Sequence, residues 1–584
     1  MFKWVTQSKF FSVKYFLIFL VLLPQIQGMI ALFPYLAFSD DSWIKESIDR
    51  LFESGMGRFE YYTESEESWD LKIRKRKLSI DEWMGLLALN AFCTFLMVYF
   101  LLWLFRADSP AVEQKKLASG VSPRRAKEGR DAFIFQTEYR EIIYIENPAQ
   151  GIYVEGGAGS GKSASVIEPL IMQVAEQGFA GFLYDFKGSP PTLSKTLYKA
   201  LDKQKNRTVA FAHINLSTPL LSGRCNPLDP VYIPNKLYAM EYASAVMKNL
   251  NTAWANKADF WADNAIAYLG AIIWFLRVHH PQSCSLPSAI LLAMEAPQKS
   301  ITILSQDEEV KHMIAPISSA FDQGAEKQIA GIFSSLQLPL GKLYTREAFW
   351  ILSSKPGEEG HVSLEVSNPK HPTFLSVSND PRLSDALAPM IALIATVCMK
   401  NMNQQGQQKA AFILDEAPTL YIPGLETLPA TARSNGVCSV ICVQDFAQLE
   451  RMYGRTTALV LRNNLGNQFF GMSSNLETSQ YVSKLAGEYL SERTSISEGE
   501  GRTHSTVSLS KEAYVHPHDI ATQPPGYFTI KVAGRKPAFF ATQLKAYSDE
   551  DHNVLPAKLS PQTLHEKISA QWTQIHKTMR DILG

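Results

Sequence analysis

The chain has 584 residues, 46% of them hydrophobic, which supports several packed cores and excludes a disordered protein. Lys+Arg and Asp+Glu both total 57, so the formal net charge is zero and any nucleic-acid site has to be a local one. The six cysteines (Cys93, Cys225, Cys284, Cys398, Cys438, Cys442) form no C-x-x-C pair and no metal-site spacing, which points to reduced or buried thiols rather than disulfides or zinc.

Two apolar segments open the chain. Tyr15–Phe38 follows Lys3, Lys9 and Lys14 and is interrupted by Pro24, Gln25, Gln27 and Pro34. It shows no small-x-small cleavage site, so it is read as a membrane helix rather than a signal peptide. Met84–Phe105, about 22 residues without a charge, is long enough to cross a bilayer, with Trp83 and Trp103 at its interfaces. Both the loop between the spans, ending in the basic run Lys72–Lys77, and the segment after Phe105 are basic, so charge counting does not settle the topology. The nucleotide motif described next does. ATP is cytosolic, so the chain after Phe105 is expected inside and Ser39–Trp83 outside.

A polar linker is expected over 107–136, followed by strands at Glu141–Glu146 and Gly151–Val154. There the stretch Gly156-Gly157-Ala158-Gly159-Ser160-Gly161-Lys162-Ser163 fits G-x-x-x-x-G-K-[ST] at every defined position and opens a helical pattern over Ala164–Ala175. Its glycines let backbone N–H groups turn in around phosphates, and the helix N-terminus adds a favourable dipole. Lys162 is expected to reach the β- and γ-phosphates of ATP and the Ser163 hydroxyl to bind Mg²⁺. A buried strand, Phe179–Tyr184, then delivers Asp185 and Lys187 to the edge where such sheets place ligands. Thr208–Ile214 is one more short strand.

From about Pro230 to Ser354 the pattern turns helical, with amphipathic runs at Tyr238–Asn249, Asp259–Val278, Leu286–Met294 and Glu326–Leu336. An all-α insert over 231–345 is expected inside a nucleotide-binding domain made of 137–230 and 346–546. Strands return at Thr373–Ser378, Ala410–Leu414, Val437–Val443, Asn467–Gly471, Tyr527–Val532 and Pro537–Thr542, with a helix at Ser384–Met402. Strands alternating with helices predict a mostly parallel α/β sheet. Ser491–Ser510 reads as a loose Ser/Thr/Gly/Glu-rich segment, and 547–584 as a C-terminal tail.

Ala410–Leu414 ends in Asp415-Glu416, the form of a Walker B element. Asp415 is expected to hold Mg²⁺ through water and Glu416 to polarise the attacking water as general base. Gln444 ends the next strand. It reads either as a γ-phosphate sensor or as an ordinary strand-terminating amide. Arg433, in the turn before that strand, reads either as an arginine finger for a neighbouring copy or as a surface cation, the latter being favoured by the residues alone.

Taken together these residues resemble the TraG/TraD-type coupling proteins of conjugation and type IV secretion. The shared pieces are the N-terminal hairpin, GGAGSGKS (156–163), YDFKG (184–188), NPLDP (226–230), ILDEAPTL (413–420), TARSNGV (431–437), VQDFAQLE (443–450), YG (453–454) and PPGYFTIKVAG (524–534). The wording is most similar to the subgroup on mobile elements of Bacteroides-like bacteria. The resemblance implies a RecA-like P-loop ATPase with an inserted all-α domain and an N-terminal transmembrane hairpin. Such a protein works as a homo-hexamer in the bacterial inner membrane and passes a relaxase–single-stranded DNA complex to type IV secretion channel proteins. On that pattern Lys162, Ser163, Asp415 and Glu416 serve ATP and Mg²⁺, Gln444 matches a third motif, and Arg433 matches a finger acting in trans.

Two departures are visible. YDFKG replaces the commoner Asp-Pro-Lys-Gly wording, and the basic end of the outer loop, Lys72–Lys77, is unexpected; neither touches the catalytic set. No long acidic C-terminal tail such as some members use to dock relaxosome proteins is seen. DNA contacts are sought among Arg455, Arg462, Lys484 and the segment Arg493–Lys511. A septal translocase of the FtsK/HerA superfamily is the competing enzyme reading, and an ATP-switched adaptor for protein effectors is the non-motor one. Nothing after Ala546 is long or basic enough for the winged helix of the former.

Overall fold

The computed structural model describes residues 131–584 except 189, 204–207, 258, 500–501, 535–538, 549–554, 558 and the side chains of 494–506. Before 131 it describes 60–62, 73–75, 88 and 92. The two expected spans therefore lie outside the described residues, save for positions 88 and 92, which are helical. The chain divides into two compact units, 1–112 and 113–584. In the first, β1 (Glu60–Tyr62) pairs antiparallel with β2 (Ile73–Lys75).

The second unit begins with an antiparallel pair, β3 (Phe133–Gln136) and β4 (Ile142–Ile145), so the last residues of the expected linker are already strand. Its centre is a nine-stranded mixed sheet. In chain order the strands are β5 (Ile152–Glu155), β6 (Ala180–Asp185), β7 (Ala210–Asn215), β8 (Thr373–Ser378), β9 (Ala410–Leu414), β10 (Val437–Val443) and β11 (Asn467–Phe470). The long hairpin β12 (Glu488–Gly499) and β13 (Arg502–Ala513) follows, and then β14 (Tyr527–Lys531) and β15 (Phe539–Gln543). The order across the sheet is β15-β14-β11-β5-β10-β9-β6-β8-β7. The seven strands from β11 to β7 are parallel, and β14 and β15 close one edge antiparallel.

Both faces of the central strands are buried, as parallel sheets require. On β10, Cys438, Val440 and Cys442 face one core while Val437, Ile441 and Val443 face the other. The first core is covered by α1 (Glu168–Glu176) and α2 (Leu193–Asp202). The second is covered by a helical block running from α3 (Lys236–Leu250) and α4 (Phe260–His279) through α5 (Leu286–Ala293), α6 (Pro297–Leu304), α7 (Glu308–Met313), α8 (Ala315–Asp322) and α9 (Glu326–Leu340) to α10 (Arg346–Ile351). Its start is fixed by the NPLDP residues. Asn226 Nδ2 donates to the Cys284 carbonyl at 2.8 Å, and Asp229 caps the turn that leads into α3.

Helix α11 (Ser384–Met402) is, among the described residues, the one helix long and apolar enough to cross a membrane, and it is largely buried between the sheet and α3. After it come α12 (Leu428–Thr431), α13 (Phe446–Tyr453), α14 (Arg455–Asn464), α15 (Leu476–Ala486) and α16 (Pro517–Ala521).

Two expectations are corrected. Ser491–Ser510 is not loose: it lies in the hairpin β12–β13, whose strands pair antiparallel in register from Glu488↔Ala513 to Gly499↔Arg502. Alternating Ser and Thr with scattered Arg, Leu and Val satisfy a ladder as readily as a loop, and the apolar periodicity is too sparse to announce it. The expected tail contains α17 (Pro561–Leu583), at 23 residues the longest described helix. Leu564, Ile568, Ile575 and Met579 form its buried stripe against α5 and α10. Trp572 joins Tyr344, Phe349 and His576 in an aromatic cluster with ring centroids 4.3–4.9 Å from its own.

Candidate functional site

Parallel strands bring their C-terminal ends to one edge, and the chemistry-bearing residues follow. β5 ends at Glu155 and runs directly into the loop Gly156–Ser163. Gly159 (φ 78°) and Gly161 (φ 86°) take the left-handed conformation that turns the loop back on itself. At Gly156 an added Cβ would come within 2.7 Å of Ser160 Oγ. Residues 163–167 wind as one π turn before α1 begins, with Ser163 half-buried at its start.

Lys162 is 9% exposed, and its ammonium is folded onto the loop, donating to the carbonyls of Gly156 (2.6 Å) and Val443 (2.9 Å). Burial lowers its pKa, and the Glu416 and Asp415 carboxylates oppose that shift, so the cation and the acidic pair share one field. Asp415 and Glu416 leave β9 at 8% and 4% exposure. The Asp415 N–H donates to the Tyr184 carbonyl at 3.2 Å. Glu416 Oε1 accepts from the backbone N–H of Gln444 at 3.1 Å, and the Gln444 side chain bonds Glu416 as well. The Glu416 backbone is also held: its carbonyl accepts from Thr419 Oγ1 (2.7 Å), which lies 2.9 Å from Tyr184 Oη.

Burial, and after it the Asp185 and Glu416 carboxylates, raise the pKa of Asp415 to about 7; Lys162 and Lys187 pull the other way. Burial raises Glu416 too, against Lys162. Asp185 is absorbed into structure, its Oδ2 accepting from Ser194 N (3.0 Å) and Oγ (2.8 Å).

A raised carboxyl pKa in the folded state means that the native protein holds a proton the unfolded chain has released. Without ligand, stability should therefore fall as pH rises from about 4 to about 7 and level off above that. Asp415→Asn removes the charge at similar volume. At pH 8 it should stabilise the ligand-free protein by roughly 1–3 kcal/mol and lose most of that advantage at pH 5. Thermal denaturation of both proteins at the two pH values reads this directly, and an advantage over the native protein that is no larger at pH 8 than at pH 5 would contradict it.

The donor set fits a nucleoside triphosphate with Mg²⁺. Ser160 Oγ is buried and without a hydrogen-bond partner, the loop glycines leave a cradle free of side chains, and one ammonium faces two carboxylates. Gln444 is thus brought to the site. Arg433 is not. It is exposed on the turn Ala432–Asn435, before β10, whereas Gln444 follows that strand. A seven-residue strand separates the two by roughly 20 Å, beyond the reach of an arginine side chain.

Arg462, sought among DNA contacts, is 3% exposed, with its guanidinium 3.7 Å from the ring centroids of both Phe446 and Tyr481. It serves the interior. Arg455 is exposed but paired with Glu450 (3.6 Å) and Glu477 (2.8 Å), Arg493 is paired with Glu512 (3.3 Å), and Lys484 is exposed.

One functional neighbour escaped the sequence reading. Glu155, immediately before the loop, is 1% exposed and accepts from Tyr153 Oη (2.9 Å), Thr478 Oγ1 (2.7 Å) and Phe446 N (3.2 Å). It ties β5 to the segment that carries Gln444. A lone carboxylate closing an otherwise apolar strand was the available signal, since such a charge must find donors.

Residues 409–525 match the family described as the TraM recognition site of TraD and TraG. Over that segment the chain is similar to TraG/TraD-type proteins. The coupling protein TraD of Escherichia coli (strain K12) is 26% identical over 175 residues, 28% of this chain; the match spans about a quarter (24%) of that relative's length. The bacterial conjugative coupling protein TrwBdeltaN70, in its unbound form, superposes with a TM-score of 0.56 at 16% identity, covering 74% of this chain and 93% of that one. TrwB with a non-hydrolysable ATP analogue gives 0.55 at 16% identity (76% and 96% covered), and TrwB with ADP and Mg²⁺ gives 0.53 at 17% (74% and 93%). At these identities the likeness is one of fold.

Proposed function

We propose that this TraG/TraD-type chain is an inner-membrane ATP hydrolase. It recruits a relaxase–single-stranded DNA complex and delivers it to type IV secretion channel proteins. The observation that carries the reading is the convergence of Lys162, Asp415, Glu416 and Gln444 at one sheet edge, in a fold shared with conjugative coupling proteins that have been solved with nucleotide.

In this reading the residues 156–163 cradle the phosphates of ATP, and Lys162 leaves the Gly156 and Val443 carbonyls to neutralise phosphate charge. Ser163 and Asp415 would hold Mg²⁺, which supplies further charge neutralisation when bound. Glu416, raised by burial toward the working pH, takes the proton from the attacking water. Gln444, bonded to that carboxylate, reports the state of the site to α13.

Arg433 lies too far along β10 to serve its own site, which supports a finger role only between copies, as in a homo-hexamer. The apolar segments Tyr15–Phe38 and Met84–Phe105 support a two-span anchor with unit 113–584 in the cytoplasm. The family's description as a TraM recognition site supports a face turned toward the relaxosome.

The test is ATP hydrolysis by the full-length protein in detergent, with and without single-stranded DNA. Stimulation is expected at low salt and should fall steeply toward moderate salt as phosphate contacts give way to counterions. Hydrolysis indifferent to DNA, or stimulation unchanged by salt, would count against a DNA-tracking motor.

A further inference from the structure

The PPGYFTIKVAG stretch has no role in the chemistry above, yet its first residues touch the phosphate loop. Pro524–Tyr527 forms a turn, closed by Tyr527 N–H donating to the Pro524 carbonyl at 3.1 Å. Within it the buried Gly526 (φ 80°) donates its N–H to the Ser160 carbonyl at 2.9 Å. The two backbones approach so closely that a Cβ on Gly161 would sit 2.6 Å from Gly526 N. The turn is itself braced: Gln543 Nε2 donates to the Pro525 carbonyl (2.7 Å), and Leu544 N–H to the Gly526 carbonyl (2.9 Å). Four residues past Gln543, Tyr547 N–H donates to the Ala164 carbonyl at 2.8 Å, just beyond the loop.

In a trans peptide the C=O and the following N–H point in opposite directions. Holding the Ser160 carbonyl outward, on Gly526, therefore turns the Gly161 N–H toward the inside of the loop, where phosphate oxygens are to be met. The left-handed φ of Gly161 has the same anchor, because the peptide on its N-terminal side is fixed. The loop's shape is thus imposed from outside by a segment far downstream in the chain.

We propose that the Pro524–Tyr527 turn, with Gly526 as its positioning residue and Gln543 as its brace, holds the phosphate loop in its nucleotide-binding shape. The inference rests on the nucleotide site proposed above. The turn begins three residues beyond α16, the helix that follows the β12–β13 hairpin.

The experiment uses the full-length protein with two variants of the turn and one of the loop. Gly526→Ala places a Cβ 2.9 Å from Gln543 Nε2 and 3.2 Å from Ser165 Oγ at a left-handed φ. Gln543→Ala removes only the brace. Binding of Mg·ADP should weaken about tenfold in Gly526→Ala and several-fold in Gln543→Ala. Ligand-free melting temperatures should stay close to native, and amide hydrogen exchange over 157–162 should quicken in both variants without any nucleotide present.

Lys162→Ala, which keeps the clamp but frees the Gly156 carbonyl, should lose binding while leaving exchange at Gly161, beside the clamped Ser160 carbonyl, native. If native protein fails to bind Mg·ADP, the nucleotide reading falls while the exchange arm still decides the clamp. A folded Gly526→Ala with native affinity and native exchange overturns the proposal. Should that variant not fold, Gln543→Ala decides by the same two readouts.

Discussion

Glu416→Gln should leave ATP bound and all but unhydrolysed. Glutamine keeps the Oε1 that accepts from the Gln444 N–H, so the local geometry survives. What it loses is the ability to take a proton. General-base contributions run to about 10²–10⁴-fold, so turnover should fall by at least two orders of magnitude with nucleotide affinity changed only a few-fold. Single-turnover hydrolysis together with equilibrium nucleotide binding separates the two. Turnover within tenfold of native would remove Glu416 from the base role, and loss of binding would mean that the variant had broken the site instead. The same variant tests the larger reading. A motor that spends ATP on each step should cease DNA transfer, whereas an adaptor that uses bound ATP as a switch should continue.

The second large effect concerns stability. Arg462 is stacked between Phe446 and Tyr481, and its Nε and Nη1 have no hydrogen-bond partner; its charge acts on the buried Glu155. Removing the cation loses both stacked-ring contacts and leaves the buried Glu155 carboxylate with its three hydrogen bonds alone, at a cost of about 2–4 kcal/mol. Arg462→Ala should show most of that in urea denaturation, and Glu155→Gln in the same chain should restore part of it. Burial already raises the Glu155 pKa, and losing the cation raises it further. Because a carboxylate with a raised folded pKa loses stability as pH climbs through it, the Arg462→Ala deficit should be larger at pH 8 than at pH 5. A deficit under about 1 kcal/mol with no recovery in the double variant would show that the stacked rings, not the charge, define the site.

Much of the sheet was legible because each central strand is a short apolar run bounded by polar residues: Thr373–Ser378, Ala410–Leu414 and Val437–Val443 occur at the bounds expected of them. Helices α3, α4, α5 and α9 announced themselves by periodicity, whereas the short α6, α7 and α8 between them did not. Legibility failed where the information is not periodic. The β12–β13 hairpin is built of Ser, Thr and charged residues, whose preference for strand over loop is decided by cross-strand pairing.

Helix α17 alternates Gln, Thr, His and Lys with few apolar residues, and its amphipathic stripe gains meaning only against α5 and α10. At the site, the loop and the acidic pair could be read as local motifs. The meeting of Gln444 with Glu416 came from the pairing of β9 with β10, which no local pattern announced. The burial of Arg462 and the seat of Gly526 on Ser160 could not be read either, since each joins segments remote in sequence with no pattern that pairs them.

Helix α17 has a consequence for modularity. The helical block looks like a cassette, entering after NPLDP and leaving before β8, and it invites exchange between chains of this fold. Yet part of its floor is supplied from the far end of the chain. Trp572 fills the aromatic cluster with Tyr344 and Phe349, and Gln571 donates to Ser353 Oγ at 3.0 Å. A graft that carries 236–351 alone would arrive with an unroofed apolar face and a mismatched tail. The unit of inheritance and of engineering is therefore a discontinuous pair, the block together with 561–583, and recombination that splits the two should be selected against.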